Sequence, residues 1–254
     1  MTMIDLTRAI YPDLSERRCV VAGGTGDVGE GIVRAWLTSG AEVVVLSRSE
    51  RAAEELRGLL SSVVDLARLH FAIGDYGTFE GSRTIAQRTT AERGPVTDIV
   101  AAIGGWWQGQ PLWEISEGDW QRYFIDMCTA HVAVARAWSP HLPPTGSYQL
   151  ILGGSAVDPV PGASIISMQQ AGLLMMRRAL PAELNGRHRV AAQILGPVVT
   201  RSRRRVRPEW VSNTEVGLVT LGIAADPDVD DTDLRSYDKS EMLATLQSLG
   251  VYPR

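Results

Sequence analysis

Three glycines, Gly23, Gly26 and Gly29, recur at three-residue intervals in CVVAGGTGDVGEGIV, between an apolar run and a helical pattern. Such a turn suits phosphate. Glycine permits the tight reversal, backbone N–H groups can approach a pyrophosphate, and the following helix presents the positive end of its dipole. The turn predicts a dinucleotide site containing Gly23, Thr25, Gly26, Asp27, Val28 and Gly29. A carboxylate facing a pyrophosphate is repulsive, so Asp27 is expected to point to solvent or to cap the helix. Further along, the apolar run in VVVLSRSERAAEEL ends with Ser47 and Arg48. An acidic residue there would accept a ribose 2′-hydroxyl, whereas the planar fork of Arg48 suits a 2′-phosphate, which favours NADP(H) over NAD(H). A second reading makes Ser47 and Glu50 a capping box with Arg48 solvated, and the two are compatible.

These groups need a scaffold that gathers strand ends. Apolar, β-branched runs predict strands at Arg18 to Ala22, Glu42 to Leu46, Leu69 to Ile73, Asp98 to Ala102, Tyr148 to Leu152 and Arg189 to Leu195. Helical patterns fall between and after them, at Val28 to Thr38, Ser49 to Leu60, Thr78 to Ala91, Gly118 to Pro140, Ser164 to Leu184 and Thr214 to Ala225. Near-continuous apolar strands such as VVVL and VAAQIL suit a parallel sheet covered on both sides. The alternation predicts one α/β domain over residues 1–254, a Rossmann-type doubly wound, mainly parallel sheet with helices on both faces. Pro181 should kink or restart its helix. After Ala225, DPDVDDTD reads as a solvated loop, and a last short helix is expected from Lys239 to Leu249.

With these motifs in place, residues 18 to about 225 resemble the short-chain dehydrogenase/reductase family. Asp27 departs from that family's T-G-x-x-x-G-x-G, although G-x-x-G-x-x-G fits without gaps. The resemblance implies that Asp75 and Tyr76 lie near adenine. Ala101, Ala102, Ile103 and Gly104 stand for the family's N-N-A-G, and LGPVVT keeps Gly196, Pro197, Val198 and Thr200. Val198 and Thr200 would hold the nicotinamide carboxamide.

The family's usual catalyst is Y-x-x-x-K, and this chain lacks it. Its one lysine is Lys239, and none of its six tyrosines has a lysine four positions later. Aligned through VPGASIISMQQAG, Ile166 replaces the tyrosine and Gln170 the lysine, with Gln170 still counted among the cofactor contacts. Met127, or Cys128 in a shifted register, replaces the asparagine. Gly153 replaces the serine, and Ser155 lies two residues further on. Losing general acid catalysis typically removes ~10²- to 10⁴-fold in rate, or ~3 to 5 kcal/mol of barrier, whereas orientation alone contributes ~7 to 11 kcal/mol. Hydride transfer stays feasible if substrate or water supplies the proton. A ketone carrying its own acidic hydroxyl would suit, beside Trp106, Trp107 and Trp113 of GGWWQGQPLW. Ser155 is the best surviving donor, with capping of loop backbone as its plainer role. Asp158 and Tyr148 are weaker candidates, and His131 is expected to be packed or capping. Arg201, Arg203, Arg204, Arg205 and Arg207 either attract an anion or form a solvated loop.

A net charge of -4 and a pI near 5.6 exclude a general nucleic-acid or anionic-membrane binder. No run of ~18 apolar residues is present, and a cytoplasmic protein is expected. Cys19 and Cys128 read as free thiols, with no metal site expected. A seventh strand is not recognisable in DVDDTDLRSYDKSEM, which weakens the expectation of a tetramer. The helices at 118–140 and 164–184 can form a homodimer interface. The reading is an atypical NADP(H)-dependent oxidoreductase acting on a small aromatic or polycyclic ketone. The alternatives are a non-redox cyclase, isomerase or lyase, and a catalytically silent nucleotide-binding sensor or partner.

Overall fold

The computed structural model describes residues 3–229 and 231–254. Its strands are β1 (Arg18–Ala22), β2 (Glu42–Ser47), β3 (Leu69–Ile73), β4 (Asp98–Ala101), β5 (Ser147–Gly153), β6 (Arg189–Leu195), β7 (Val198–Val199), β8 (Val211–Ser212) and β9 (Asp233–Ser236). Seven form one parallel sheet in the order β3-β2-β1-β4-β5-β6-β9, and β7 pairs with β8 apart from it. The helices are α1 (Asp27–Thr38), α2 (Glu50–Leu60), α3 (Phe79–Arg93), α4 (Glu117–Trp120), α5 (Asp126–Trp138), α6 (Ser164–Glu183), α7 (Asn213–Ala225) and α8 (Lys239–Ser248).

The two-residue period of the strands divides the core. Val21, Val43 and Val45 pack with Ile32 and Trp36 of α1, Val216 of α7 and Met242 of α8. Val20, Val44 and Leu46 face the other way, against Ile85 of α3, Val134 of α5 and Leu173 of α6. The fold is therefore the α/β doubly wound sheet that the sequence predicts. Strand order reverses between β1 and β4, and the crevice at that switch point is where such sheets bind ligands.

Four expectations change. β9 is a seventh strand, joined to β6 by Ala192↔Asp233 through Leu195↔Ser236. Its four residues, DLRS, are too short and polar to carry a periodic signal. The acidic stretch before it is not wholly solvated, because Asp233 opens β9 and its carboxylate meets Arg178 at 2.9 Å. The helix containing Pro181 does not restart; α6 runs on to Glu183. Pro181 removes only its own N–H bond, toward the Arg177 carbonyl, and the chain resumes the ladder with Leu184 N donating to Leu180 O at 2.8 Å. The predicted helix from Gly118 to Pro140 is interrupted by a π turn at Gln121–Ile125, just before Met127. π turns recur at functional sites.

Candidate active site

The cradle forms where β1 meets the loop after β4. Ala102 N donates to Ala22 O at 2.9 Å. Gly23 has φ +80, and a side chain there would drive into the Ala102 carbonyl. A side chain at Gly29 would strike the Gly23 carbonyl. Gly26 caps α1 with no side-chain hydrogen bond, so the amides that open the helix keep no capping partner. Gly26, Asp27, Val28 and Gly29 line a cleft of about 970 Å³ at the C-terminal end of the sheet. This glycine cradle, with its uncapped helix start, fits a pyrophosphate.

Asp27 neither points to solvent nor caps the helix. Its carboxylate accepts hydrogen bonds from Thr200 Oγ1 at 3.2 Å, from Arg201 Nε at 3.1 Å and from the Ser202 hydroxyl. Partial burial pushes this carboxyl up, but those donors outweigh burial and hold it below the ordinary carboxylate value. Asp27 thus clasps the Arg-rich loop, whose base is the β7–β8 pair, to the start of α1. Thr200, expected at the carboxamide, lines the cleft with Val198 and Gly196 but turns its hydroxyl to Asp27. Within the loop, the guanidinium of Arg203 stands 4.9 Å from the Trp210 ring centroid.

Ser47, Arg48, Asp75 and Tyr76 gather beyond the cleft at the ends of β2 and β3. Ser47 Oγ donates to Ser49 O at 2.8 Å. The cap of α2 is Ser49, not Ser47: Ser49 Oγ accepts from Ala52 N at 3.3 Å, and Glu50 is the helix's first residue. Arg48 is exposed, has no ion-pair partner among the described residues, and lies 5.9 Å from the centroid of the buried Tyr76 ring. Asp75 Oδ1 accepts from Gly77 N at 3.0 Å, holding its own turn.

The opposite wall carries Gly153, Ser155, Ile166 and Gln170. Gln170 Oε1 accepts from Gly153 N at 2.7 Å and its Nε2 donates to Gln169 Oε1 at 2.7 Å, so the amide is engaged within the wall. Ile166 lines the cleft beside it. A side chain on Gly153 would begin 3.6 Å from Ser155 Oγ and 3.9 Å from Gln170 Oε1. Ser155 therefore brings a hydroxyl close to the space that a side chain at position 153 would fill. That hydroxyl is buried and has no partner. Asp158 lines the cleft, whereas Tyr148 is buried in the core, its phenol pushed up by burial. His131 is packed: its Nε2 bonds the Ile103 carbonyl at 2.8 Å, and burial pushes the ring down to about 4, so it is neutral at pH 7. That bond braces the loop carrying Ala102, Ile103 and Gly104, all three of which line the cleft.

Of the three loop tryptophans, Trp106 lines the cleft, Trp107 tilts against Tyr123 at 6.1 Å between centroids, and Trp113 is 83% exposed. Gly109 N donates to Gly162 O at 3.0 Å, tying this loop to the segment before α6. Among the lining residues that were not singled out from sequence, one stands out for its chemistry. Tyr237, between β9 and α8, enters the cleft from the edge of the sheet opposite β3. A recognisable seventh strand in DLRSYDKS would have flagged it. Among the described residues no cluster of three or more His, Cys, Asp or Glu could hold a metal, and no helix is long and apolar enough to cross a membrane.

A parallel sheet with a glycine turn at its switch point and a cleft at its strand ends defines a dinucleotide-binding α/β protein. Residues 17–210 match the short chain dehydrogenase family, and the chain belongs to it. Members are oxidoreductases that bind nicotinamide cofactors and act on small molecules. Over 224 residues the chain is 25% identical to a probable galactose dehydrogenase of Rhizobium meliloti, covering 81% of this chain and 80% of that one. In structure it is similar to a short chain oxidoreductase of Pseudomonas aeruginosa PAO1 described as containing an atypical catalytic center. The NADPH-bound form of that protein superposes with a TM-score of 0.80 at 19% identity, covering 89% and 97% of the two chains. A blue fluorescent protein from a metagenomic library, in complex with NADPH, superposes with a TM-score of 0.76 at 20% identity, covering 89% and 98%. At these identities the likeness shows the fold.

Proposed function

We propose that the chain is an NADP(H)-dependent reductase of a small aromatic or polycyclic ketone, working without a Tyr–Lys pair. One observation carries the reading: a single cleft joins the glycine cradle to an unpartnered buried hydroxyl, Ser155 Oγ. When bound, the cofactor supplies hydride to the carbonyl carbon. The amides opening α1 hold the pyrophosphate, and Arg48 grips the 2′-phosphate. Asp75 and Tyr76 flank adenine. Ala102, Ile103, Gly104, Gly196 and Val198 flank the nicotinamide, and Ser155 donates to the substrate oxygen. Trp106 gives the mouth an aromatic wall. The NADPH carried by both solved relatives supports the phosphate role of Arg48.

The test is 4-deuterated NADPH with a panel of aromatic ketones, alongside titrations of NADPH and NADH. Deuterium is expected in an alcohol product. Arg48→Ala should weaken NADPH about 10- to 100-fold, the loss of a charged hydrogen-bond pair, and leave NADH unchanged. A second reading, a non-redox cyclase, isomerase or lyase or a silent sensor, draws on Ile166 and the engaged Gln170 amide. Binding without deuterium in any product would favour it. Exposed Val132 on α5 and Met168 and Met175 on α6 support a homodimer through these helices. The objection to a tetramer from a missing strand lapses with β9, and light scattering distinguishes the two assemblies.

A further inference from the structure

Tyr237 follows β9 directly and precedes Asp238, the cap of α8. Its Cε1 and Cζ each lie 3.4 Å from the point where a side chain on Gly154 would begin. Across from it, Gly196 makes way for the Tyr237 backbone, whose carbonyl would collide with any side chain there. The Tyr237 hydroxyl is buried with the Arg235 and Asp158 side chains as its polar neighbours, whereas that of Ser155 has no hydrogen-bond partner. The orphan Ser155 hydroxyl, with a phenol held among charged side chains on the same cleft, calls for a ligand atom, because a buried donor without a partner is destabilising.

The charges around the phenol complete the arrangement. Arg235 stands 5.1 Å from the Tyr237 ring centroid, and its guanidinium lies 4.0 Å from the Asp158 carboxylate. Glu241 accepts from the Tyr237 backbone N at 2.7 Å. Arg235 supplies the permanent cation that the chain's one lysine does not.

We propose that Tyr237 is the proton donor of this site, delivering its phenolic proton to the substrate oxygen that Ser155 holds, with Arg235 as the neighbouring cation. The proposal rests on the reductase reading. As the carbonyl carbon accepts hydride from the reduced nicotinamide, the C=O π pair moves to oxygen. The Tyr237 O–H bond breaks and a substrate O–H bond forms. The tyrosinate left behind, opposite Arg235, recovers a proton from water at the exposed side of that arginine. Burial, the largest influence, and Asp158 raise the phenol above its ordinary value against the opposing effect of Arg235, so it stays protonated at neutral pH. It is poised to give a proton and not to take one, which favours reduction over alcohol oxidation.

Two readouts test this. The first is the infrared stretch of ¹³C-carbonyl acetophenone bound together with NADP+, a complex that cannot turn over. The second is deuterium transfer to the ketone panel from 4-deuterated NADPH. In the native protein the carbonyl stretch should shift to lower frequency, and Tyr237→Phe should lose most of that shift while binding NADPH within about twofold. Where deuterium is transferred, Tyr237→Phe should lower kcat about 10²- to 10⁴-fold with little change in KM, and Arg235→Met should lower it by less. An unshifted carbonyl in the native protein overturns the role of Tyr237, and so does equal transfer by Tyr237→Phe. A Tyr237-dependent shift with no deuterium transfer overturns the reductase reading alone, leaving Tyr237 as the acid of a non-redox reaction.

Discussion

The Lys239 ammonium is ion-paired with the Glu215 carboxylate, whose side chain is 1% exposed. Glu215 also closes the capping box of α7, accepting from Ser212 N at 2.7 Å, so the chain's one lysine locks α8 to the start of α7. Removing one partner of a buried pair leaves an uncompensated charge. Lys239→Met should lower unfolding free energy by about 3 kcal/mol in urea titrations. Adding Glu215→Gln should recover most of the loss, because glutamine keeps the capping box without a charge. A single variant as stable as the native protein would show that Lys239 is not structural.

Asp27 gives the Arg-rich loop its anchor. Asp27→Ala should expose Arg201 to Arg207 to trypsin several-fold faster while leaving the fold intact. The sign of its pH dependence follows from a lowered carboxyl: the clasp is in place above the ordinary carboxylate range and is lost only as pH falls through the depressed value. Native cleavage rates should stay flat from neutral pH to about 4, measured with an acid-tolerant protease at the low end. A rate that climbs well above that range would mean that Asp27 does not hold the loop.

His131 predicts an acid sensitivity of stability. Folded, its value is about 4 against 6.5 for the free side chain, so the unfolded chain takes the proton first as pH falls. Stability is full above about 6.5 and falls toward 4, by roughly 3 kcal/mol for this one group. Urea titrations at pH 7 and pH 5 should show a steeper loss for the native protein than for His131→Gln. Equal slopes would place the titration elsewhere.

Much of this was legible in the chain because glycine spacing and strand apolarity are local signals. CVVAGGTGDVGEGIV specifies the β1–α1 turn by itself, and the six strands β1 to β6 announce themselves by apolar composition. β9 could not, since DLRS is made a strand by pairing with β6 and not by its own propensity. Tyr237 was hidden with it. Asp27 could be weighed against a pyrophosphate from sequence, but its partners Thr200, Arg201 and Ser202 lie more than 170 positions away. The departures at Gly153, Ile166 and Gln170 were visible in the alignment. That they interlock was not, because the Gln170 to Gly153 bond is a tertiary contact.

That interlocking predicts what a restoration attempt will do. Gln170 supplies the acceptor for Gly153 N, and Ser155 Oγ lies near the space above Gly153. Writing the family's pair back as Ile166→Tyr with Gln170→Lys removes that acceptor and buries an ammonium where an amide stood. A half-buried backbone donor left without its partner costs up to about 1–3 kcal/mol, and at about 2–4 °C per kcal/mol for a chain of this size the melting point should fall by up to roughly 2–12 °C. Gln170→Glu, which keeps an acceptor at the same reach, should lose less. Activity should not rise in the double variant, because Ser155 and Tyr237 are arranged for a different approach of the proton. Calorimetry and the deuterium assay together decide it. A double variant that melts like the native protein and gains turnover would show that the tyrosine and lysine were lost from a site still built to receive them.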